Sequence, residues 1–461
     1  MYDLIFNDQN LGDTDSPKYF DSSEHLVPIS AMEKRVVKPS GMFTIKLELG
    51  EFMQEYPDRN VYDASQGDGG FSLGGIPPEE LAEALLRYLP QDRSTKYGNP
   101  IGREDVREAV FHNYYDFDAL TGLTPDNIIF GDGGRDLLQK WYQLIVSNTN
   151  RCGDIVLVSA APWGSYAQGT YINGINTLMA PGTPESGFKF TTEAIDASLE
   201  FALADNRRIS GIVFTSPDNP TGNYSSYDEL INLIEYSVKK GITHIFVDLI
   251  YQVVTDPEVG CYDINKLYNA LSKEAKQSVV FMDGLTKAAG GSNLRNAHMV
   301  VGNDHWVHLL KGLATHTVLP NALGEAAALE IYGQENPIDH PWVKRVTVPT
   351  AKSRAFVRER FQKLGYKFIC DQGYYAFINI WPYLRKIIPE GITISDGQGG
   401  QKNRIDTAED LKTYLTTKCG VAIIHGTIFK QPHFIRFSYA NDPVYTESAI
   451  QRLHDSITAL E

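Results

Sequence analysis

The chain reads as an α/β protein, a largely parallel β-sheet covered on both faces by helices and followed by a smaller α+β unit. Three observations predict this. Between about residues 100 and 330, short apolar runs rich in β-branched residues alternate with stretches of helical period. Those runs are apolar at nearly every position, as strands buried on both faces must be. From about residue 341 onward the alternation gives way to a mixed pattern of helix and strand.

Taken in order, the spacing predicts a helix at 102–114, a strand at NIIFG (127–131) and a helix at 135–147. Strands follow at DIVLVSA (154–160) and GIVFTS (211–216), then a helix at 226–239. THIFVD (243–248), SVVFMDG (278–284) and HMVVG (298–302) read as further strands, and 321–333 as a helix. In the C-terminal part a helix is expected at 350–364, a strand pair at YYAFINI (374–380) and VAIIHG (421–426), and a closing helix at 444–460. Residues 389–408 are rich in Gly, Gln and polar residues and read as a mobile surface loop. In a sheet of this kind, ligand chemistry belongs at the carboxyl ends of the strands.

With 461 residues, 42% of them hydrophobic, the chain can bury a large core and divides into about two or three domains. A net charge of −15 opposes binding to nucleic acid or anionic membrane, so neither is expected as a partner. The opening MYDLIFNDQNLGDTDS has no basic stretch leading into a long apolar run, and no apolar run is long enough to span a bilayer. A soluble, cytoplasmic protein is expected. Cys152, Cys261, Cys370 and Cys419 lie far apart without CxxC spacing, which predicts reduced packing residues, no metal site and no disulfide framework.

Three segments place polar residues at strand ends: SPDNPTGNY (216–224), THIFVDLIY (243–251) and FMDGLTKAAGGSNLR (281–295). Each residue alone has an ordinary reading: Lys287 as a solvated lysine, Asp248 as a turn or cap, Asn219 as part of an Asn-Pro turn. GDGGRDLLQ (131–139) sets a glycine pair between a strand and a helix, where backbone amides and the helix N-terminus can cradle a phosphate. Trp163 of SAAPWGSY reads as a core residue and Arg436 of HFIRFSYA as a surface arginine, just after a β-like run.

In this order and spacing the segments resemble the class I/II aminotransferases, fold-type I enzymes that bind pyridoxal 5'-phosphate, over roughly residues 60–460. The resemblance implies that Lys287, preceded by Thr286, holds the cofactor as a Schiff base, and that Arg295, eight residues on, binds its phosphate beside Gly133 and Gly134. Arg135 and Asp136 stand there in place of the usual amide or small residues. Asp248 would face the pyridinium nitrogen and keep the ring an electron sink; Tyr251 and Asn219 would contact the ring hydroxyl, and Trp163 would stack on the ring. Arg436 would grip the substrate α-carboxylate bidentately, with a backbone contact from Gly67 of DASQGDGG nearby. Tyr97 would reach the cofactor phosphate of a partner subunit, which implies a homodimer. Departures from the pattern are Gly284 for a serine, Ala297 for a glycine, and His425-Gly426 for Pro-Gly.

The implied fold is a cofactor-binding domain at 86–340 with a mostly parallel seven-stranded sheet, an N-terminal arm and part of the small domain at 1–85, and the rest of the small domain at 341–461. The implied reaction moves an amino group between an α-amino acid and a 2-oxo acid, with Lys287 moving the α-proton. Side-chain selectivity would rest on the N-terminal segment, residues 311–321 and the partner subunit. Elimination, decarboxylation, cyclisation or oxidation by the same residues is the alternative, and a non-catalytic regulator is a third reading, disfavoured by Lys287 and by the lack of a basic helix-turn-helix segment.

Overall fold

The computed structural model describes residues 18–20, 44–69, 71–89, 96–150, 153–397 and 399–461. The rest of the expected N-terminal arm and Cys152 lie outside the described residues. The main sheet takes its strands from β1 (Lys18–Phe20), β2 (Ile128–Gly131), β3 (Ile155–Val158), β4 (Asn176–Met179), β5 (Ile209–Thr215), β6 (His244–Asp248), β7 (Val279–Asp283) and β8 (Ala297–Val301). Their spatial order is β1-β4-β3-β5-β6-β7-β8-β2. Strands β4, β3, β5, β6 and β7 run parallel, β8 is antiparallel to both β7 and β2, and the short β1 adds an antiparallel edge to β4. Seven strands therefore make the mostly parallel sheet implied by the sequence, with β1 as an eighth at one edge.

Side chains along these strands alternate between two separate cores, which is why the runs carry no polar face. Ile245, Val247, Val279 and Phe281 pack on one side with Leu230, Leu233 and Ile234 of helix Tyr227–Lys239. Phe246, Val280 and Met282 pack on the other with Leu137, Trp141 and Ile145 of helix α1 (Gly134–Thr149). Strand β4 is absent from the expected set. Its sequence is NTLM, and its two polar residues break the apolar signal. In the fold they are buried and satisfied: Asn176 Nδ2 donates to the Gly153 carbonyl at 2.8 Å, and the Thr177 hydroxyl pairs with that of Thr170.

The second sheet corrects the expected strand pair. β9 (Tyr375–Asn379) and β10 (Ile424–His425) do not pair with each other; both flank β11 (Phe434–Ser438), which the pattern reading did not assign as a strand of its own. Arg436 therefore lies inside a central strand, opposite Phe377 and Ile424, and not beyond one. One face of this sheet packs Ile378, Ile435 and Phe437 against Val357 and Phe361 of a long helix and against Leu453 of the closing helix. The other face packs Phe377, Ile424 and Phe434 with Ile45 and Leu49 of helix Ile45–Glu55, so residues from both ends of the chain share one core.

Two other expectations change. The helix expected from 350 begins nine residues sooner, as α2 (Pro341–Lys363), and runs through Pro349, a residue that ordinarily signals a boundary. Residues 389–408 are not a plain surface loop: Ile394–Ser395 and Gln401–Lys402 pair as an antiparallel hairpin, and Ile394 and Ile405 are buried in the small core. Two well-spaced isoleucines in a polar stretch anchor it.

Candidate active site

A cavity of about 470 Å³ opens at the carboxyl ends of the strands, between the main sheet and the second one. Asp248 ends β6, Thr215 ends β5, and Lys287 sits one short turn beyond β7; all three line it. The second sheet contributes Tyr375 and Arg436.

Asp248 is buried. Its Oδ1 accepts from the Ile250 N–H at 3.0 Å and its Oδ2 from the Tyr166 hydroxyl at 2.9 Å. Burial raises its carboxyl to about 6, against the opposing pull of those donors and of Lys287. Lys287 is moved the other way. Burial lowers its amine to about 8, and Arg436, Arg135 and Arg295 add to the effect while the Asp68 carboxylate resists it. A substantial neutral fraction near physiological pH is what a nucleophilic or proton-accepting amine needs. Lys287 Nζ donates to the Gly67 carbonyl, and the Tyr374 hydroxyl donates to the Lys287 carbonyl, so its backbone and tip are both held.

At the other end of the cavity, Gly133 takes a positive φ of 85° and leads into α1. A Cβ there would lie 2.4 Å from the Arg295 guanidinium and push it aside, and the positive φ itself favours glycine. Arg295 donates to the carbonyls of Ser292 at 3.0 Å and Asp132 at 3.1 Å. Gly134 and Thr286 line the same end. Arg135 turns into the cavity with its guanidinium over the Trp163 ring, 5.2 Å from the centroid, and burial beside Arg295 lowers its proton affinity. Asp136 instead accepts from the Asp132 N–H at 2.9 Å and pairs with the buried Lys140.

Arg436 is buried, with Nη1 donating to Asn219 Oδ1 at 2.7 Å and Nη2 to the Ser65 carbonyl at 2.7 Å; its Nε has no partner among the described residues. Gly67 and Tyr251 complete this end. Neither Gly133, next to the lining Gly134, nor Tyr97, 96% exposed on the surface, is among the lining residues. The motifs missed Tyr166, Tyr375 and Asp68, all lining the cavity. Tyr166 follows Trp163 by three residues, about one helical turn, which is the signal that could have found it.

The departure at Gly284 has a steric cause. A Cβ on Gly284 would lie 2.7 Å from Ala297 Cα and 2.9 Å from its Cβ, across the β7–β8 pairing. The Asn296 carbonyl oxygen would lie at 2.8 Å as well, so backbone atoms leave no room for the serine usual at this position. His425 faces Glu409 at 3.2 Å, away from the lining, and a Cβ at Gly426 would strike the Gln431 carbonyl at 2.0 Å.

A lysine amine, a buried carboxylate and a buried arginine converging on one cavity of an α/β sheet define a class of enzyme, and the chain's relatives agree on it. The family described as aminotransferase class I and II matches residues 63–453, and the chain belongs to that family: it is an aminotransferase. It is 23% identical over 381 residues to an aspartate aminotransferase of Bacillus sp. (strain YM-2), covering 82% of this chain and 87% of that enzyme. It is 21% identical over 440 residues to an asparagine–oxo-acid transaminase of Streptococcus mutans, covering 92% of this chain and 98% of the relative. The fold matches the crystal structure of the aspartate aminotransferase of Rhizobium meliloti with a TM-score of 0.75 at 20% identity, over 95% of this chain and all of that one. It also matches that of Thermus thermophilus with maleate, with a TM-score of 0.72 at 21% identity, over 91% and 97%. No helix among the described residues is long and apolar enough to cross a membrane.

Proposed function

We propose that the cavity binds pyridoxal 5'-phosphate at Lys287 and that the chain transfers the amino group of an acidic α-amino acid to a 2-oxo acid. The observation that carries this reading is the convergence of Lys287, its amine lowered to about 8, with Asp248 and Arg436 on one cavity. The residues fit the group. The Gly133-Gly134 turn at the start of α1, with Arg135 and Arg295, suits a phosphate. Asp248 suits a ring nitrogen, Tyr251 and Asn219 a ring oxygen, and Trp163 a ring face.

When bound, the cofactor supplies a carbonyl that joins the substrate amine and a cationic ring that takes up electrons from the α-carbon. Arg436 holds the α-carboxylate with its two terminal nitrogens and fixes the α-carbon's orientation. Lys287 Nζ would serve as the base that accepts the substrate's α-proton and gives it back. Asp248 stays ionised opposite the ring cation and keeps the nitrogen protonated. Most of the relatives named above are aspartate aminotransferases, which favours aspartate as donor, and the excess of cavity cations over Asp68 and Asp248 suits a dianionic substrate.

The working unit in this reading is a cytoplasmic homodimer. Tyr97, exposed on the single chain, meets the phosphate site of the partner subunit. Residues 86–340 form the cofactor-binding domain, and 1–85 with 341–461 form the arm and small domain.

The test begins with the visible spectrum of the purified protein with added pyridoxal 5'-phosphate. Borohydride is expected to fix the cofactor on the peptide carrying Lys287, and Lys287→Ala to abolish both the band and the adduct while lowering kcat by on the order of 10³ or more. Aspartate should turn over only with a 2-oxo acid present. Absence of a band refutes the cofactor assignment; turnover without an acceptor refutes transfer.

A further inference from the structure

Tyr375 heads strand β9 and is 2% exposed, yet no motif marks it. It meets the site three ways. Its hydroxyl lies 2.8 Å from that of Tyr251, its sole hydrogen-bond partner among the described residues. The Arg436 guanidinium sits over its ring, with Cζ 4.2 Å from the centroid. Its hydroxyl also fills the space above Gly67, where a Cβ would come within 1.7 Å. Any side chain at position 67 displaces Tyr375, which ties the glycine turn to the tyrosine.

We propose that Tyr375 is a positioning residue for the transfer reaction: its hydroxyl donates to Tyr251, turning the Tyr251 proton toward the cofactor ring oxygen, while its ring supports Arg436 under the substrate carboxylate. This rests on the cofactor reading given above.

The argument is one of proton counting. Each phenol owns one proton, and the hydrogen bond between them uses one of the two. If Tyr251 donated to Tyr375, its oxygen would turn lone pairs toward any oxygen acceptor in the cavity. If Tyr375 donates, Tyr251 keeps its proton for that acceptor. Burial pushes both phenols upward, so both remain donors across the working range. A donor chain of two phenols polarises more than one alone and stabilises the deprotonated form of what it contacts. Meanwhile the face of an electron-rich ring is a favourable seat for a guanidinium whose nitrogens must stay free at their edges.

The test uses the holoprotein and compares wild type with Tyr375→Phe and Tyr375→Leu. The pH midpoint of the visible band is expected to rise by roughly half to one pH unit in Tyr375→Phe, the effect of one neutral hydrogen bond. KM for the amino acid stays within about twofold in that variant and rises roughly 3- to 30-fold in Tyr375→Leu, which removes the ring beneath Arg436. In a Tyr251→Phe background, Tyr375→Phe should no longer move the midpoint, since its effect passes through Tyr251. A band whose midpoint ignores Tyr375→Phe, or still moves in the Tyr251→Phe background, overturns the inference alone. Failure of wild type to form any band overturns the cofactor reading and this inference with it.

Discussion

Asp283 closes strand β7 behind the cavity and is 1% exposed. Its Oδ2 accepts from the Tyr114 hydroxyl at 2.6 Å and from Gln252 Nε2 at 2.5 Å, and its Oδ1 from the Gly284 N–H at 2.7 Å. Burial still dominates, and it pushes the carboxyl from 3.8 to about 7, with the Asp248 carboxylate adding to the push. The surroundings tolerate a neutral group. Gln252 Oε1 has no partner among the described residues, so a turned amide or a rotated Tyr114 hydroxyl can accept from a protonated Asp283. Asp283→Asn should therefore fold and be more stable than wild type at high pH.

The sign and window follow from the two carboxyl values. The folded chain keeps this proton up to about 7, whereas the unfolded chain releases it near 3.8. Between those values the folded state binds more protons, so stability falls as pH rises; the penalty is absent below the lower value and complete above the upper one. At about 1.36 kcal/mol per pH unit the penalty is at most ~4 kcal/mol, and coupling to Asp248 reduces what a single substitution recovers. We expect the variant's lead to widen by ~1–2 kcal/mol between about pH 5 and about pH 8, seen as a lead in thermal midpoint of a few degrees. A lead that stays constant or narrows with rising pH refutes a buried, proton-holding Asp283.

Two further substitutions test the site and its frame. Arg436→Lys replaces a two-pronged guanidinium with a point charge and strips the contacts to Asn219 and Ser65; steady-state kinetics should show KM for the amino acid rising roughly 10- to 100-fold. Asp256 binds Arg354 through Nε at 2.8 Å and Nη2 at 2.6 Å, and Arg358 at 2.8 Å, clamping the chain after Tyr251 to helix α2. Because Arg354 is fully buried, Asp256→Ala leaves an uncompensated charge and should cost about 3–5 kcal/mol in urea unfolding.

The sequence by itself determined the kind of sheet and where its chemistry had to lie. Short β-branched runs apolar at nearly every position read as strands covered on both faces, and polar residues directly after such runs then stand at strand ends. Asp248, Asn219, Lys287 and Arg295 each lie within a few residues of a strand that announces itself, and the resemblance of their segments to the family made them legible as a set. Where the local signal was mixed, reading failed: Asn176–Met179 hides its strand behind two polar residues, and Pro349 conceals the continuity of a helix of 23 residues.

Only the tertiary structure decided which distant residues meet. Arg436 lies 217 positions from the asparagine it binds and 371 from the Ser65 carbonyl, and Tyr375 lies 124 from the hydroxyl it touches. Local propensity carries no information about contacts at such separations; they arise when the two sheets pack around a shared cavity, with Tyr375 of the second sheet joining a core of the main one. The same holds for Gly284, whose lack of a side chain is explained only by the Ala297 Cα and the Asn296 carbonyl that the fold brings against it.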